Sequence, residues 1–199
     1  MSLSRLLVLP HRGLRLPRQC GVSLIEMLVA ILVLSFGMLA MAGLHASSLK
    51  LGKMAQYRAV AQQLADDYVD RMRAGTLGLT QAQAAALTPS YYFQQDYNPV
   101  GAIPNVPACA VPNQCTGPEL AARDQARWRA IARASLPGGG LYVQPVTLPG
   151  GGATAQVEVS VVWRDPQAAA NGETGGECPA AMAVPSPPPS CLLLRATLW

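Results

Sequence analysis

The sequence contains little charge and almost no histidine. Charged residues make up 13% of its 199 positions, and the two histidines are His11 and His45. The sequence also shows no nucleophile beside a base and no pair of carboxylates at a catalytic spacing. Asp66, Asp67 and Asp70 share one predicted helical turn, which is typical of a solvated face. We therefore predict a protein that is not an enzyme and that needs no cofactor or metal.

Positive charge is scarce outside the start of the chain. Residues 1–21 hold four of the 15 basic residues and no acidic residue, so the remainder has 11 basic and 11 acidic residues and is formally neutral. A neutral chain gives no general electrostatic reason to bind phosphates, and no nucleic-acid partner is expected. Basic residues ahead of an apolar segment are typical of a leader held on the cytoplasmic side.

A long apolar run follows this basic start. From Met27 to Leu44 there are 18 consecutive residues without a charge. A membrane helix needs about 20 apolar residues to cross a hydrocarbon core of about 30 Å. We predict a transmembrane segment over residues 22–45. A cleaved secretory signal, with Ala40-Met41-Ala42 as its cleavage site, is the alternative.

One acidic residue lies close to this run. Glu26 is the fifth residue of the segment that begins at Val22. A carboxylate at membrane depth is costly, so it needs either hydration at the headgroups or a cation from another chain.

The residues around Glu26 resemble the class III signal of type IV prepilins and pseudopilins, which is carried here by Gly21 to Ala30, GVSLIEMLVA. This resemblance implies that a prepilin peptidase cuts between Gly21 and Val22 and that the new amine of Val22 is N-methylated. It also implies that Glu26 sets the register during assembly. Residues 1–21 are then a cleaved leader. Val22 stands where this family most often has phenylalanine.

The helix is expected to continue beyond the membrane. Apolar residues recur at intervals of three and four between Met54 and Met72, which indicates a helix with one buried face. Gly75 follows this pattern and is predicted to be its C-cap. We predict one helix from about Ser23 to Ala74, with residues 46–75 as its amphipathic half.

Residues 76–199 are predicted to form a periplasmic head. Thr116 and Glu119 have the spacing of a capping box, and a helix is expected from there to about Ser135. Three apolar residues of this helix are predicted to face the core, namely Leu120, Trp128 and Ile131. Its arginines are interpreted as a solvated face, with an anionic partner as the alternative.

Three strands are expected after this helix, at Leu141–Leu148, Ala153–Arg164 and Cys191–Trp199. The second has valines alternating with mostly polar residues and is predicted to be half-buried. The predicted fold is α+β, with the long N-terminal helix packed on a small antiparallel sheet.

An aromatic cluster lies in the proline-rich stretch before the second helix, at Tyr91, Tyr92, Phe93 and Tyr97. We interpret it as packing this stretch onto the head. A carbohydrate-binding or partner-binding surface is the alternative.

Four cysteines belong to the predicted head, where an oxidising periplasm would preserve disulfides. They allow three pairings. The local pairing, Cys109–Cys115 with Cys178–Cys191, is favoured because it closes two short loops. Zinc is the competing interpretation, although the spacings depart from the usual ligand spacings. The fifth cysteine, Cys20, lies in the leader.

Two further stretches narrow the resemblance to PilV-type minor pilins, also called type IV pilus modification proteins. They are SLIEMLVAILVLSFGML, at residues 23–39, and CTGPELAARDQARW, at 115–128, with LPGG following at 136–139. The resemblance implies a low-abundance subunit that primes pilus assembly and sits in the fibre or its tip complex. The implied partners are the prepilin peptidase, other minor pilins, the major pilin, the inner-membrane assembly machinery and a tip adhesin.

The same resemblance implies a ladle-shaped pilin that crosses the inner membrane once and is later assembled into an extracellular pilus. A pseudopilin of a type II secretion system shares the signal and the helix and is the runner-up. An enzyme or receptor domain on a signal anchor, and a DNA-uptake pilin, are further alternatives.

Overall fold

The computed structural model describes residues 21–103, 105–112, 114–147, 153–165, 178–183, 186 and 188–198. Residues 1–20 of the predicted leader, including Cys20, lie outside this range. So do Leu148 and Trp199, which are predicted strand ends. The chain divides into two compact units, Met1–Ala46 and Ser47–Trp199.

The described elements are three helices, a short 3-10 helix and three strands. The helices are α1 (Leu24–Thr76), α2 (Gln81–Leu87) and α3 (Gly117–Ser135), and the 3-10 helix is Thr88–Tyr91. The strands are β1 (Gly140–Thr147), β2 (Ala153–Trp163) and β3 (Ser190–Thr197).

In the first unit, the structure describes the start of α1 and the three residues before it. Every residue from Gly21 to Ala46 is exposed. This part of α1 is long and apolar enough to cross a membrane. Within the described apolar run, the hydroxyl of Ser35 donates to the Leu32 carbonyl at 2.7 Å. That bond keeps the run free of an unsatisfied donor at Ser35.

In the second unit, α1 has one buried face, as its sequence period predicts. The buried side chains are Ala61, Leu64, Ala65, Tyr68, Val69, Met72 and Thr76. They pack in one core with α3 and the sheet, which also contains Trp128, Val143, Val157, Val159 and Val161.

The predicted C-cap of α1 was wrong. Gly75 is helical and α1 ends at Thr76, while Gly78 takes the positive φ of 78° that favours glycine. Gly75 is instead a point of close approach, because a Cβ placed there would collide with the hydroxyl of Tyr91. Gly75 is therefore required by close packing, and Gly78, three residues later, is required by the turn.

The three strands form an antiparallel sheet in the order β1-β2-β3. Val159 of β2 lies opposite Val143 of β1 and Leu194 of β3. The α+β class, with a long apolar helix and a small antiparallel sheet, is confirmed.

The second strand is more deeply buried than predicted. Ser160 and Val162, on the face expected to be open, are both buried. This face is covered by a second apolar cluster, made of Tyr97, Tyr142, Val162, Met182 and Cys191. Half-burial was wrong here because residues distant in sequence, which alternation cannot reveal, cover the strand.

The sequence also missed α2. Its signal is the Thr80-x-x-Gln83 spacing, and the structure shows a capping box there, with the Thr80 N–H donating to Gln83 Oε1 at 2.9 Å. This start signal is short, and a helix of seven residues is too short to show a periodic apolar pattern.

The predicted inner face of α3 was partly wrong. Leu120 and Ile131 are 40% and 43% exposed, whereas Trp128 is fully buried. The other buried residues of α3 are Ala121, Ala126 and Ala132. The Trp128 side chain reaches α1, where its Nε1 donates to the Leu64 carbonyl at 2.7 Å.

Candidate functional site

The candidate site begins with the residues just before α1. Gly21, Val22 and Ser23 are exposed and outside the helix. The backbone N–H groups of Glu26 and Met27 both donate to the Ser23 carbonyl, at 3.1 and 3.2 Å. The bond between Gly21 and Val22 therefore lies in non-helical, exposed chain, which a peptidase can bind in extended form.

Glu26 lies in the first turn of α1. A negative charge at this position is favourable, by about 0.3–1 kcal/mol, because the helix N-terminus carries partial positive charge. Within the described part of the chain, the Glu26 carboxylate has no hydrogen-bond or ion-pair partner.

The apolar residues after Glu26 extend around the whole helix. From Met27 to Leu44, the large apolar side chains are more than half exposed. An apolar surface of this extent is rare on a soluble protein and indicates a lipid or protein partner. It is the feature that distinguishes this segment from a core helix.

The head cysteines are joined in the local pairing. Cys109 is bonded to Cys115 and Cys178 to Cys191, each with a Cα–Cα distance of 5.1 Å. No group of three or more potential metal ligands occurs among the described residues. The competing zinc interpretation has no support in this geometry.

The loop closed by Cys109 and Cys115 is fastened to α3 by Glu119. One carboxylate oxygen accepts from the Ala110 N–H at 2.9 Å, and the other accepts from the Thr116 N–H at 2.7 Å. These bonds, that of Thr116 first, lower the pKa of Glu119. The sequence predicted the capping box, but the bond to Ala110 depends on the folded loop.

All four members of the aromatic cluster pack inwards, two of them buried and two, Tyr92 and Phe93, partly buried against the core. Tyr91 and Tyr97 are buried, and burial raises the pKa of each to about 12. The Tyr68 hydroxyl donates to the Tyr91 carbonyl, and the Tyr97 hydroxyl donates to the Gly138 carbonyl, both at 2.7 Å. The predicted packing role of the aromatic cluster is confirmed.

Two of the three aspartates of α1 form ion pairs with arginines, and the third, Asp66, accepts from the side-chain amide of Gln62. Arg71 lies 2.8 Å from Asp67 and 3.6 Å from Asp124, so it joins α1 to α3. Burial raises the pKa of Asp124, and the charge of Arg71 opposes that shift. Asp70 pairs with Arg73 at 3.3 Å.

Comparison with protein families gives one match, at the N-terminus. The prokaryotic N-terminal methylation motif matches residues 16–42, which contain Gly21, Val22, Glu26 and most of the apolar run. No curated protein and no solved structure matches the chain. The motif implies processing by a prepilin peptidase, and with the apolar helix it indicates membrane anchoring. Together they support a type IV pilin-like or pseudopilin protein.

Proposed function

We propose that this chain is a minor pilin of a type IV pilus, a structural subunit that helps prime assembly and sits in the fibre or its tip complex. The observation that carries the proposal is the methylation motif at residues 16–42, continuous with an apolar helix that is exposed throughout its own unit. A helix of this kind needs lipid before assembly and other helices after it.

The leader, residues 1–21, is removed at Gly21 in this proposal. Glycine before the cut lets the backbone enter a narrow protease site without a side-chain clash. Val22 then carries a new, methylated amine. In a bundle of apolar helices, this amine lies beside Glu26 of a neighbouring subunit, where low dielectric makes an unpaired charge far more costly than in water. The pair enforces register more than it adds stability.

The remaining parts have separate roles. Residues 22–45 anchor the subunit in the inner membrane, residues 46–75 continue the helix, and residues 76–199 form the periplasmic head. The two disulfides support an oxidising compartment for the head. The resemblance at 115–128 favours a PilV-type subunit, with the prepilin peptidase, pilins, assembly machinery and a tip adhesin as partners.

The N-terminus of the native protein tests the proposal. Mass spectrometry of the membrane fraction should find a chain that starts at methylated Val22, and sheared pili should contain it. A start at Met1, or at a residue beyond Ala42, would rule out the peptidase interpretation. Deleting the gene should reduce piliation. If secretion failed while pili stayed normal, the pseudopilin of a type II secretion system would replace the minor pilin.

The role of Glu26 has its own test. Glu26→Ala should still be cleaved and methylated, since the cut is made five residues earlier. Its amount in sheared pili should fall about tenfold, because the buried amine loses its partner. Lys50→Ala, an exposed charge on the same helix beyond the apolar run, is the matched control and should assemble normally. Wild-type amounts of Glu26→Ala in pili would disprove the register role.

A further inference from the structure

A polar cavity of about 170 Å³ opens on the surface of the head. Its walls are the segment from Phe93 to Ile103, the last turns of α3 and the start of β1. Three lining residues carry charge, namely Asp96, Arg129 and Arg133. These three groups differ in how far their hydrogen-bonding capacity is already used.

Arg133 and Asp96 are engaged with the backbone. The guanidinium of Arg133 donates to the carbonyls of Pro99 and of Asn98, the latter at 2.8 Å. Asp96 Oδ1 accepts from the Ala183 N–H at 3.0 Å. Arg133 therefore fastens the cavity wall to α3, and Asp96 fastens it to the segment at 178–183.

Arg129 is different. Its guanidinium lies over the ring of Phe93, 4.5 Å from the ring centre. Across the described residues, its N–H groups make no hydrogen bond or ion pair. Burial, followed by the positive charge of Arg133, lowers the pKa of Arg129. A half-buried cation with unused donors carries a desolvation cost that a bound anion would offset.

The orientation of Arg129 selects the kind of anion. The Cζ atom of Arg129 lies over the Phe93 ring, and no N–H along the planar edge of its guanidinium is used in a hydrogen bond to a described residue. That edge matches the two oxygens of a carboxylate, which it can bind through parallel hydrogen bonds. The cavity has room for roughly five water molecules at about 30 Å³ each, so it suits a carboxylate with one or two methylenes.

The surroundings favour a peptide over an acidic sugar. Sugar sites commonly use an open aromatic face, but the Phe93 ring is stacked with Arg129 and Tyr97 is only 8% exposed. Beside the cavity, Val100 and Ile103 are 83% and 52% exposed. They offer apolar contacts to the residues that flank a peptide carboxylate.

We propose that this cavity binds a carboxylate of an acidic peptide segment from a partner protein. Arg129 binds the carboxylate, and Arg133 is the positioning residue. The site lies in the head and does not depend on the N-terminal signal. It goes beyond the proposed function because it gives the head a recognition site of its own.

The test uses the full chain in detergent micelles and the peptide acetyl-Gly-Leu-Glu-Leu-Gly-amide. Binding is followed by NMR shifts of backbone amides at constant ionic strength. The peptide should saturate the shifts near Arg129, and its glutamine counterpart should bind about tenfold more weakly, a loss typical of a charge-assisted hydrogen bond. Arg129→Ala should cause a similar loss.

Two variants serve as controls. Arg127→Ala removes the same charge from an exposed position of α3 outside the cavity and should bind as the wild type does. Arg129→Lys keeps the charge but lacks the planar fork, so it should bind with intermediate affinity and also serves if Arg129→Ala unfolds. Equal weakening by Arg127→Ala, equal binding of the glutamine peptide, or no saturation by about 50 mM peptide would overturn the proposal. Tighter binding of glucuronate than of the peptide would replace it with an acidic-sugar site.

Discussion

Within α1, residues 24–46 leave every side chain exposed, whereas residues 61–76 bury seven side chains. Both parts are helical and rich in apolar residues. The first part is apolar on all sides, which predicts a helix surrounded by lipid or by other helices. The second has one apolar face at intervals of three and four, which predicts a partner on one side only.

The second part finds its partner within its own chain. Tyr68 meets Trp128 edge-on with ring centres 5.7 Å apart, and it meets Tyr91 edge-on at 6.5 Å. The number of apolar residues in a helix therefore does not show whether it packs in the core of its own chain. Their distribution around the helix does, because a single apolar face indicates a partner on one side. Perturbing each part should therefore affect a different kind of partner.

The largest expected effect is at Gly21, in the part without an internal partner. A Cβ at Gly21 or at Gly37 meets no atom within 4 Å, so the chain itself tolerates either substitution. Gly21→Leu should leave essentially all of the precursor uncut, because only the peptidase distinguishes the two positions. Gly37→Leu should be processed normally. Intact-mass analysis of the membrane fraction measures both, and normal cutting of Gly21→Leu would contradict the prediction.

The next largest effect is expected when the contact between α3 and residues 61–76 of α1 is removed. Trp128→Ala removes a fully buried indole and its bond to Leu64. It should lower the free energy of unfolding of the head by about 3–5 kcal/mol. Ile131→Ala, one turn later and exposed, should cost less than about 1 kcal/mol. Circular dichroism during thermal unfolding in detergent measures both, and similar costs for the two variants would show that Trp128 does not anchor α3 to α1.

Much of this division could be predicted from the sequence. The ends of α1 and α3, the three strands and the Thr116–Glu119 capping box follow from local signals, and the structure places each within two residues of its predicted bounds where it describes them. The motif from Gly21 to Glu26 was also visible, because it consists of residue types within six consecutive positions and needs no tertiary contact to be recognised.

Features that depend on tertiary contacts were not predictable. Gly75 was mistaken for a cap because its neighbour, Tyr91, lies 16 residues away in sequence. Leu120 and Ile131 were placed in the core because they are large and apolar, although the small Ala121 and Ala132 are the residues that are fully buried. The Arg129 cavity needs three separate segments to meet, so no local pattern indicates it.

Removing the disulfides should destabilise the head without affecting the N-terminal segment. In the chain-entropy description, a cross-link stabilises by restricting the unfolded chain, more so for longer loops. Replacing Cys178 and Cys191 by serine should cost about 3 kcal/mol, and replacing Cys109 and Cys115 should cost about 2 kcal/mol. Neither change should alter processing at Gly21. Chemical denaturation and non-reducing peptide mapping test this, and a peptide that linked Cys109 to Cys178 would contradict the local pairing.

The smallest expected effect is a pH dependence of the stability of the head. It should be seen on replacing Glu119, in the first turn of α3, and not on replacing Glu26, in the first turn of α1. The N–H groups of Thr116 and Ala110 lower the pKa of Glu119. Its folded pKa therefore lies below its unfolded pKa, so its stabilising contribution is complete above the unfolded pKa and is lost as the pH falls through the folded pKa. Glu119→Gln should destabilise the head at neutral pH, and this difference should shrink in acid.

Glu26→Gln is the matched control, because it makes the same change in the first turn of α1, outside the compact unit that contains the head. It should leave the unfolding of the head unchanged at every pH. Near-UV circular dichroism measures the head selectively, since Trp128 and Trp163 are both buried there. A constant difference between Glu119→Gln and the wild type from neutral to acidic pH would mean that the ionised carboxylate is not what holds the loop. The difference would then come from contacts that do not depend on the protonation of Glu119.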